Sequence, residues 1–218
     1  MWELERAALD SIWTRHLRGE IHHLDFACGT GRILRHLAPA TRTAAGIDVS
    51  ENMLAVARTN VPSATLMRQD LTRENALGDQ TFNLITAFRF FPNAEPELRL
   101  SAIWALVRHL APGGILVANN HRKFRSAAHL VFRMAKPGRA PWMRPDEMAA
   151  LFAASGLEIL EIHPLGVLPF FDGFMPFPFS WARMIEKAAA RHPNLKALAQ
   201  NWIYVCRKPN GNQPDGRA

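Results

Sequence analysis

The 218 residues carry 48% apolar side chains and a formal net charge of +7, a balance that supplies a complete core and argues against a disordered or collagen-like chain. No run approaches the roughly 20 consecutive apolar residues of a bilayer-spanning helix, and Met1-Trp2-Glu3-Leu4-Glu5 lacks a basic-then-apolar leader, so neither a helical membrane protein nor an exported one is expected. The only cysteines, Cys28 and Cys206, read as two free thiols of a cytoplasmic protein rather than a bridge.

In chain order, residues 2–18 have a helical pattern, with Leu4, Ala8, Ile12 and Leu17 near one face. Strand patterns follow at 21–27, 43–48, 64–69, 81–88 and 114–120, separated by helical runs at 31–38, 51–60 and 96–110. Pro145 to Ser155 reads as a helix stopped by Gly156, and Leu157 to Ile162 and Trp202 to Cys206 read as strands. Strands alternating with helices predict an α/β fold, a mostly parallel sheet covered on both faces, with ligands at the carboxyl ends of the strands. One domain over 1–208 is expected, followed by a polar, Gly/Pro-containing tail at 209–218.

The most informative junction is Leu24-Asp25-Phe26-Ala27-Cys28-Gly29-Thr30-Gly31-Arg32-Ile33, where an acid and a Gly-x-Gly turn separate an apolar run from a helical pattern. Bare backbone at Gly29 and Gly31 allows a nucleotide-like cofactor to approach closely. Asp48 ends the second apolar run, where α/β folds hold an acid that accepts hydrogen bonds from a ribose diol. It also suits the cap of the helix beginning near Glu51. A nicotinamide-binding fingerprint needs a third glycine three residues after Gly31, and Leu34 stands there instead.

Asp25-x-Ala-Cys-Gly-Thr-Gly31 followed by Gly46-Ile-Asp-Val-Ser50 resembles the class I S-adenosylmethionine-dependent methyltransferases, in particular the small-molecule, ubiquinone-biosynthesis-like or type 11-like kind. Asp70 after the third apolar run, Phe82-Asn-Leu-Ile-Thr-Ala-Phe88 and Leu110-Ala-Pro-Gly-Gly-Ile-Leu-Val117 continue the likeness in order over roughly residues 20–120. The resemblance implies a Rossmann-like, seven-stranded, mostly parallel sheet with an antiparallel last strand. It implies S-adenosylmethionine as cofactor, S-adenosylhomocysteine as product, and no metal. Backbone at Ala27, Gly29 and Gly31 would line the methionine portion, with Asp25 toward its ammonium and Asp48 on the ribose hydroxyls. Ser50 and Met53 would follow at the helix start, Met53 against an adenine face, Asp70 and Leu71 at the adenine's amino edge, and Phe88 beside the sulfonium.

Since the methyl on a sulfonium is already activated, the protein must mainly align the acceptor and, for a hydroxyl, remove a proton. His121, after Asn119 and Asn120, is the candidate base, with His163 a weaker rival. In that reading both amides face the acceptor with the imidazole. Arg89 is expected to bind an acceptor carboxylate or phosphate, or else to pair with a surface acid. The segment Phe88-Arg-Phe-Phe-Pro-Asn93 lacks the Asp/Asn-Pro-Pro-Tyr/Phe pattern of nucleobase amino-methyltransferases, and no cysteine lies near the fourth or fifth strand end for a covalent route to cytosine.

Two insertions are expected on the substrate side. Residues 121–144 hold Arg122, Lys123, Arg125, Arg133, Lys136, Arg139 and Arg144 with no acid, an amphipathic basic stretch suited to an anionic substrate, a membrane surface or solvent. Within 165–200, Leu165 to Trp181 interleaves phenylalanine with proline and reads as a rigid aromatic cap. The expected partner is a small-molecule acceptor with an anionic group or an apolar or sugar-like body, its methylated atom an oxygen. A cofactor-binding module without turnover and a nucleic-acid methyltransferase are the alternatives.

Overall fold

The computed structural model describes residues 2–74, 77–121, 143–166, 199 and 201–210, and the single positions 181, 184 and 188. Its helices are α1 (Trp2–His16), α2 (Arg32–Leu37), α3 (Glu51–Asn60), α4 (Pro96–His109) and α5 (Pro145–Ala154). The strands are β1 (His22–Phe26), β2 (Thr43–Asp48), β3 (Thr65–Arg68), β4 (Phe82–Ala87), β5 (Leu110–His121), β6 (Glu158–Leu165) and β7 (Asn201–Arg207).

The strands form one seven-stranded sheet in the order β3-β2-β1-β4-β5-β7-β6. Neighbours from β3 to β5 are parallel, and β7 runs antiparallel to both β5 and β6. This is the Rossmann-like, mostly parallel sheet with an antiparallel last strand expected from the sequence.

Alternation along the strands assigns each face its helices. Leu84, Ile115, Val117, Ile203 and Val205 pack with Leu9 and Ile12 of α1 and Ile33 and Leu37 of α2. The intervening positions Leu24, Phe26, Ile85, Leu116, Ala118, Tyr204 and Cys206 share a core with Ile103 and Leu106 of α4 and Met148 and Phe152 of α5. Strand order reverses between β1 and β4, so their carboxyl ends open a crevice with no crossover helix above it.

Two boundaries and one helix face differ from the sequence reading. β5 begins at Leu110 rather than 114, because a register irregularity between Phe82 and Leu84 and a left-handed Gly113 (φ 73°) let Pro112 and Gly113 bulge without ending the strand. β6 runs on through Pro164 to Leu165, which the sheet tolerates because β6 is an edge strand. In α1 the buried side chains are Leu4, Glu5, Leu9 and Ile12, so an acid replaces part of the expected apolar face. Of the two insertions, residues 122–142 and 167–180 lie outside the described residues, as does the tail from 211.

Candidate active site

The crevice between β1 and β4 holds a cavity of about 520 Å³. β1 supplies Asp25, the turn after it Ala27, Cys28, Gly29 and Thr30, and the start of α2 Arg32; the segment after β4 supplies Phe88, Arg89, Phe90 and Asn93; Met53 and Leu98 reach in from α3 and α4.

Two non-glycine residues on this lining adopt left-handed backbone, Ala27 (φ 53°) and Arg89 (φ 62°). Such geometry costs roughly 1–2 kcal/mol and persists only where surroundings impose it. At Arg89 they do: the side-chain oxygen of Asn119 accepts its N–H at 2.6 Å, and its carbonyl accepts from Asn93 Nδ2 at 2.5 Å. Gly29 (φ 56°) has open space where a Cβ would stand, leaving its backbone bare to the cavity. Gly31 differs: with φ 78°, a Cβ there would press on Val61 and Ala57, so the absence of a side chain lets the turn seat against α3.

Asp25 is 2% exposed, and its Oδ1 accepts the Thr86 hydroxyl at 2.6 Å. That hydroxyl has one proton to donate, so it must accept from His23 Nε2, 2.8 Å away, fixing a chain from His23 through Thr86 to Asp25. The second oxygen, Oδ2, is buried and has no hydrogen-bond partner among the described residues. Burial pushes the carboxyl up to about 7, against the lowering effects of the Thr86 bond and the Arg32 charge. Burial also drives His23 down to about 3, leaving it neutral, and raises the Cys28 thiol to about 12, so Cys28 is no nucleophile. Both cysteines are free.

Asp48 stands just outside the lining and shapes it: Oδ2 accepts the Gly29 N–H at 2.8 Å and Oδ1 the Ser50 N–H at 2.9 Å. Ser50 caps α3 through the Met53 amide. Asp70 also lies apart, its Oδ1 bound to the backbone and hydroxyl of Thr72, and Leu71 borders a separate cleft near Trp104. The structure thus brings Asp25, Ala27, Gly29, Met53, Phe88 and Arg89 to one cavity. It leaves Gly31, Asp48, Ser50, Asp70 and Leu71 outside its lining, and His121, at the end of β5 opposite Asn201, is not among the described residues that line it.

The two amides before His121 are not available to an acceptor. Asn119 is engaged with Arg89, Glu5 and Asn201, and Asn120 donates to the Met143 carbonyl at 2.9 Å; both are buried. The expectation that they face the acceptor is corrected by alternation on β5, which turns them into the two cores. His163 is tied to Glu161 at 2.7 Å, beside His16 and Arg15, on the α1 side of the edge strand.

Sequence reasoning missed Arg32 and Glu5. Glu5 of α1 is fully buried beneath the cavity wall and accepts from Arg32, Asn201 and Asn119. An acid at a position where the helical face predicts an apolar residue was the available signal.

A family model described as a methyltransferase domain matches residues 24–114, the stretch from β1 into β5 that builds this cavity. Over these residues the chain is similar to the S-adenosylmethionine-dependent methyltransferases. Among curated relatives, a dTDP-3-amino-3,6-dideoxy-alpha-D-glucopyranose N,N-dimethyltransferase of Streptomyces fradiae is 34% identical over 153 residues, 70% of this chain and 51% of that protein. A ubiquinone biosynthesis O-methyltransferase of Coxiella burnetii is 28% identical over 172 residues, covering 68% of this chain and 70% of that one. The chain therefore spans about half the length of the first of these relatives. A solved putative methyltransferase of Bacillus halodurans C-125 matches 94% of this chain and 99% of its own at TM-score 0.66 and 18% identity. The magnesium protoporphyrin IX methyltransferase of Synechocystis PCC 6803, with S-adenosylhomocysteine bound, matches 94% and 83% at TM-score 0.62 and 16% identity. These structures share the fold. No described helix is long and apolar enough to cross a membrane.

Proposed function

We propose that the protein transfers a methyl group from S-adenosylmethionine to a small-molecule acceptor, to an oxygen of a sugar, lipid-linked intermediate or secondary metabolite. The observation that carries the reading is Asp25: a buried carboxylate with one oxygen that has no hydrogen-bond partner among the described residues, beside bare Gly29 backbone in a cavity at the sheet's switch point. A buried charge without a partner is costly, and the cofactor's ammonium is the group that would satisfy it.

The cofactor supplies an activated methyl group when bound. Asp25 orients the amino-acid end, and the backbone of Ala27 and Gly29 follows it. Asp48 fixes the turn through Gly29 and keeps lone pairs for the ribose hydroxyls. Met53, 46% exposed, and Phe88 form apolar walls. On the acceptor side, the guanidinium of Arg89 is exposed at the mouth and suits an anionic group. No histidine lines the described cavity, which favours alignment of the acceptor over proton removal as the main contribution. His121 remains the candidate base, and His121→Ala tests it: a role in proton removal predicts turnover lower by roughly 10²–10⁴-fold with cofactor affinity retained, while alignment alone predicts little change.

The relatives act, by their names, on an amino sugar's nitrogen in one case and in ubiquinone biosynthesis as an O-methyltransferase in the other. Transfer of a labelled methyl group to a panel of hydroxylated metabolites, with amino sugars as a second set, tests the proposal. Product from hydroxylated acceptors supports it; product from amino sugars alone moves the acceptor atom to nitrogen. Tight cofactor binding with no product from any acceptor leaves a binding module, and salt-dependent binding of RNA or DNA would point to a nucleic-acid substrate instead.

A further inference from the structure

The wall of the cavity carries a second cation besides Arg89. Arg32 lines the cavity with its side chain 31% exposed, beside Asp25, whose carboxyl its charge helps to hold down. Its position is fixed from behind. One guanidinium nitrogen, Nη1, donates to Glu5 Oε2 at 2.5 Å, and the Trp2 ring centroid lies 4.4 Å from its central carbon. Glu5 is fully buried and is held in turn by Asn201 Nδ2 at 2.8 Å and Asn119 Nδ2 at 3.5 Å on its other oxygen. A guanidinium has five N–H groups, and the Glu5 bond engages one of them. Among the described residues the others have no hydrogen-bond partner.

The amino-acid end of S-adenosylmethionine is a zwitterion, so a site built for it needs an acid and a base a few ångströms apart. We infer that Arg32 binds the cofactor's carboxylate while Asp25 takes its ammonium, and that Glu5 and Trp2 of α1 are positioning residues for that guanidinium. The inference rests on the S-adenosylmethionine reading and adds α1 to the cofactor site. The rival role for Arg32 is to neutralise buried Glu5 alone.

Two ligands separate these. S-Adenosylhomocysteine carries the amino-acid end, and 5′-methylthioadenosine keeps the adenosine and thioether but lacks both ammonium and carboxylate. Calorimetric titration of the full chain should show Arg32→Gln weakening S-adenosylhomocysteine by about 10- to 100-fold, the loss expected of a charge-assisted pair, with 5′-methylthioadenosine unchanged. If Arg32→Gln fails to fold because Glu5 is left unpaired, the double variant Glu5→Gln, Arg32→Gln removes both charges and should show the same selective loss. Glu5→Gln alone should give a smaller loss in the same direction. Equal weakening of both ligands, or undiminished S-adenosylhomocysteine affinity without Arg32, overturns the inference. Wild-type protein that binds neither ligand would instead overturn the cofactor reading on which it rests.

Discussion

Asp25 is the residue on which local chemistry and ligand binding meet. Its carboxyl, raised from 3.8 to about 7 by burial, binds a proton more tightly in the folded chain than in the unfolded one. Stability from this group therefore falls as pH rises from about 4 to about 7, and levels off above, where both states are ionised. Neutral His23, lowered from 6.5 to about 3, acts oppositely: its contribution is lost as pH falls below 6.5. Comparing Asp25→Asn with wild type cancels the His23 effect. The variant should gain stability relative to wild type between pH 5 and pH 8, read as a difference of melting temperatures. A difference that stays constant over that range would contradict the raised carboxyl. The ligand works with the ionised form, so S-adenosylhomocysteine affinity should strengthen from pH 6 to pH 7.5 in wild type and lose that dependence in Asp25→Asn. Asp48 gives a separate residue-scale prediction. Asp48→Ala removes acceptors from Gly29 and Ser50 as well as any ribose contact, and should weaken cofactor binding by about 1.5–3 kcal/mol.

At the scale of elements, the segment after β4 is where strain and function coincide. Arg89 is held at φ 62° by Asn119 of β5 and Asn93 of the following turn. Arg89→Gly relieves the strain and Arg89→Ala retains it, so the glycine variant should be more stable than the alanine variant by about 1 kcal/mol. Both should lose acceptor affinity rather than cofactor affinity if the guanidinium grips an anion. Equal stability of the two would mean that the left-handed backbone costs nothing here. α1 extends the same theme. It packs Leu9 and Ile12 on the sheet while carrying Glu5 into the core beneath the cavity. Glu5→Ala leaves the part-buried Arg32 and the buried Asn201 amide without their acceptor, so it should lower the melting temperature more than truncating an exposed α1 acid such as Glu3.

Across the whole molecule, the alternation of strands with helices and the turn after β1 were legible because periodicity and glycine turns are local signals. Asp25, Gly29 and Met53 follow from the same motif and lie on one cavity. Less legible was anything that depends on side chains meeting over long sequence separations: Glu5 with Asn201, or Asn119 with Arg89. A sequence shows Asn119-Asn120 as adjacent amides near a strand end; only the pleat of β5 reveals that they point into opposite cores. Likewise, the sequence shows Gly31 only as part of the motif, whereas its close approach to Val61 and Ala57 appears only in the folded chain. The acceptor is least legible, since the expected insertions bear no motif tied to one chemistry. The most direct test of the central claim is a melting curve of the full chain with S-adenosylhomocysteine or NAD at 100 times the dissociation constant expected of a cofactor. Binding at that ratio adds about 2.7 kcal/mol, so S-adenosylhomocysteine should raise the melting temperature by roughly 5–10 °C and NAD should leave it unchanged. A rise with NAD and none with S-adenosylhomocysteine would contradict the account.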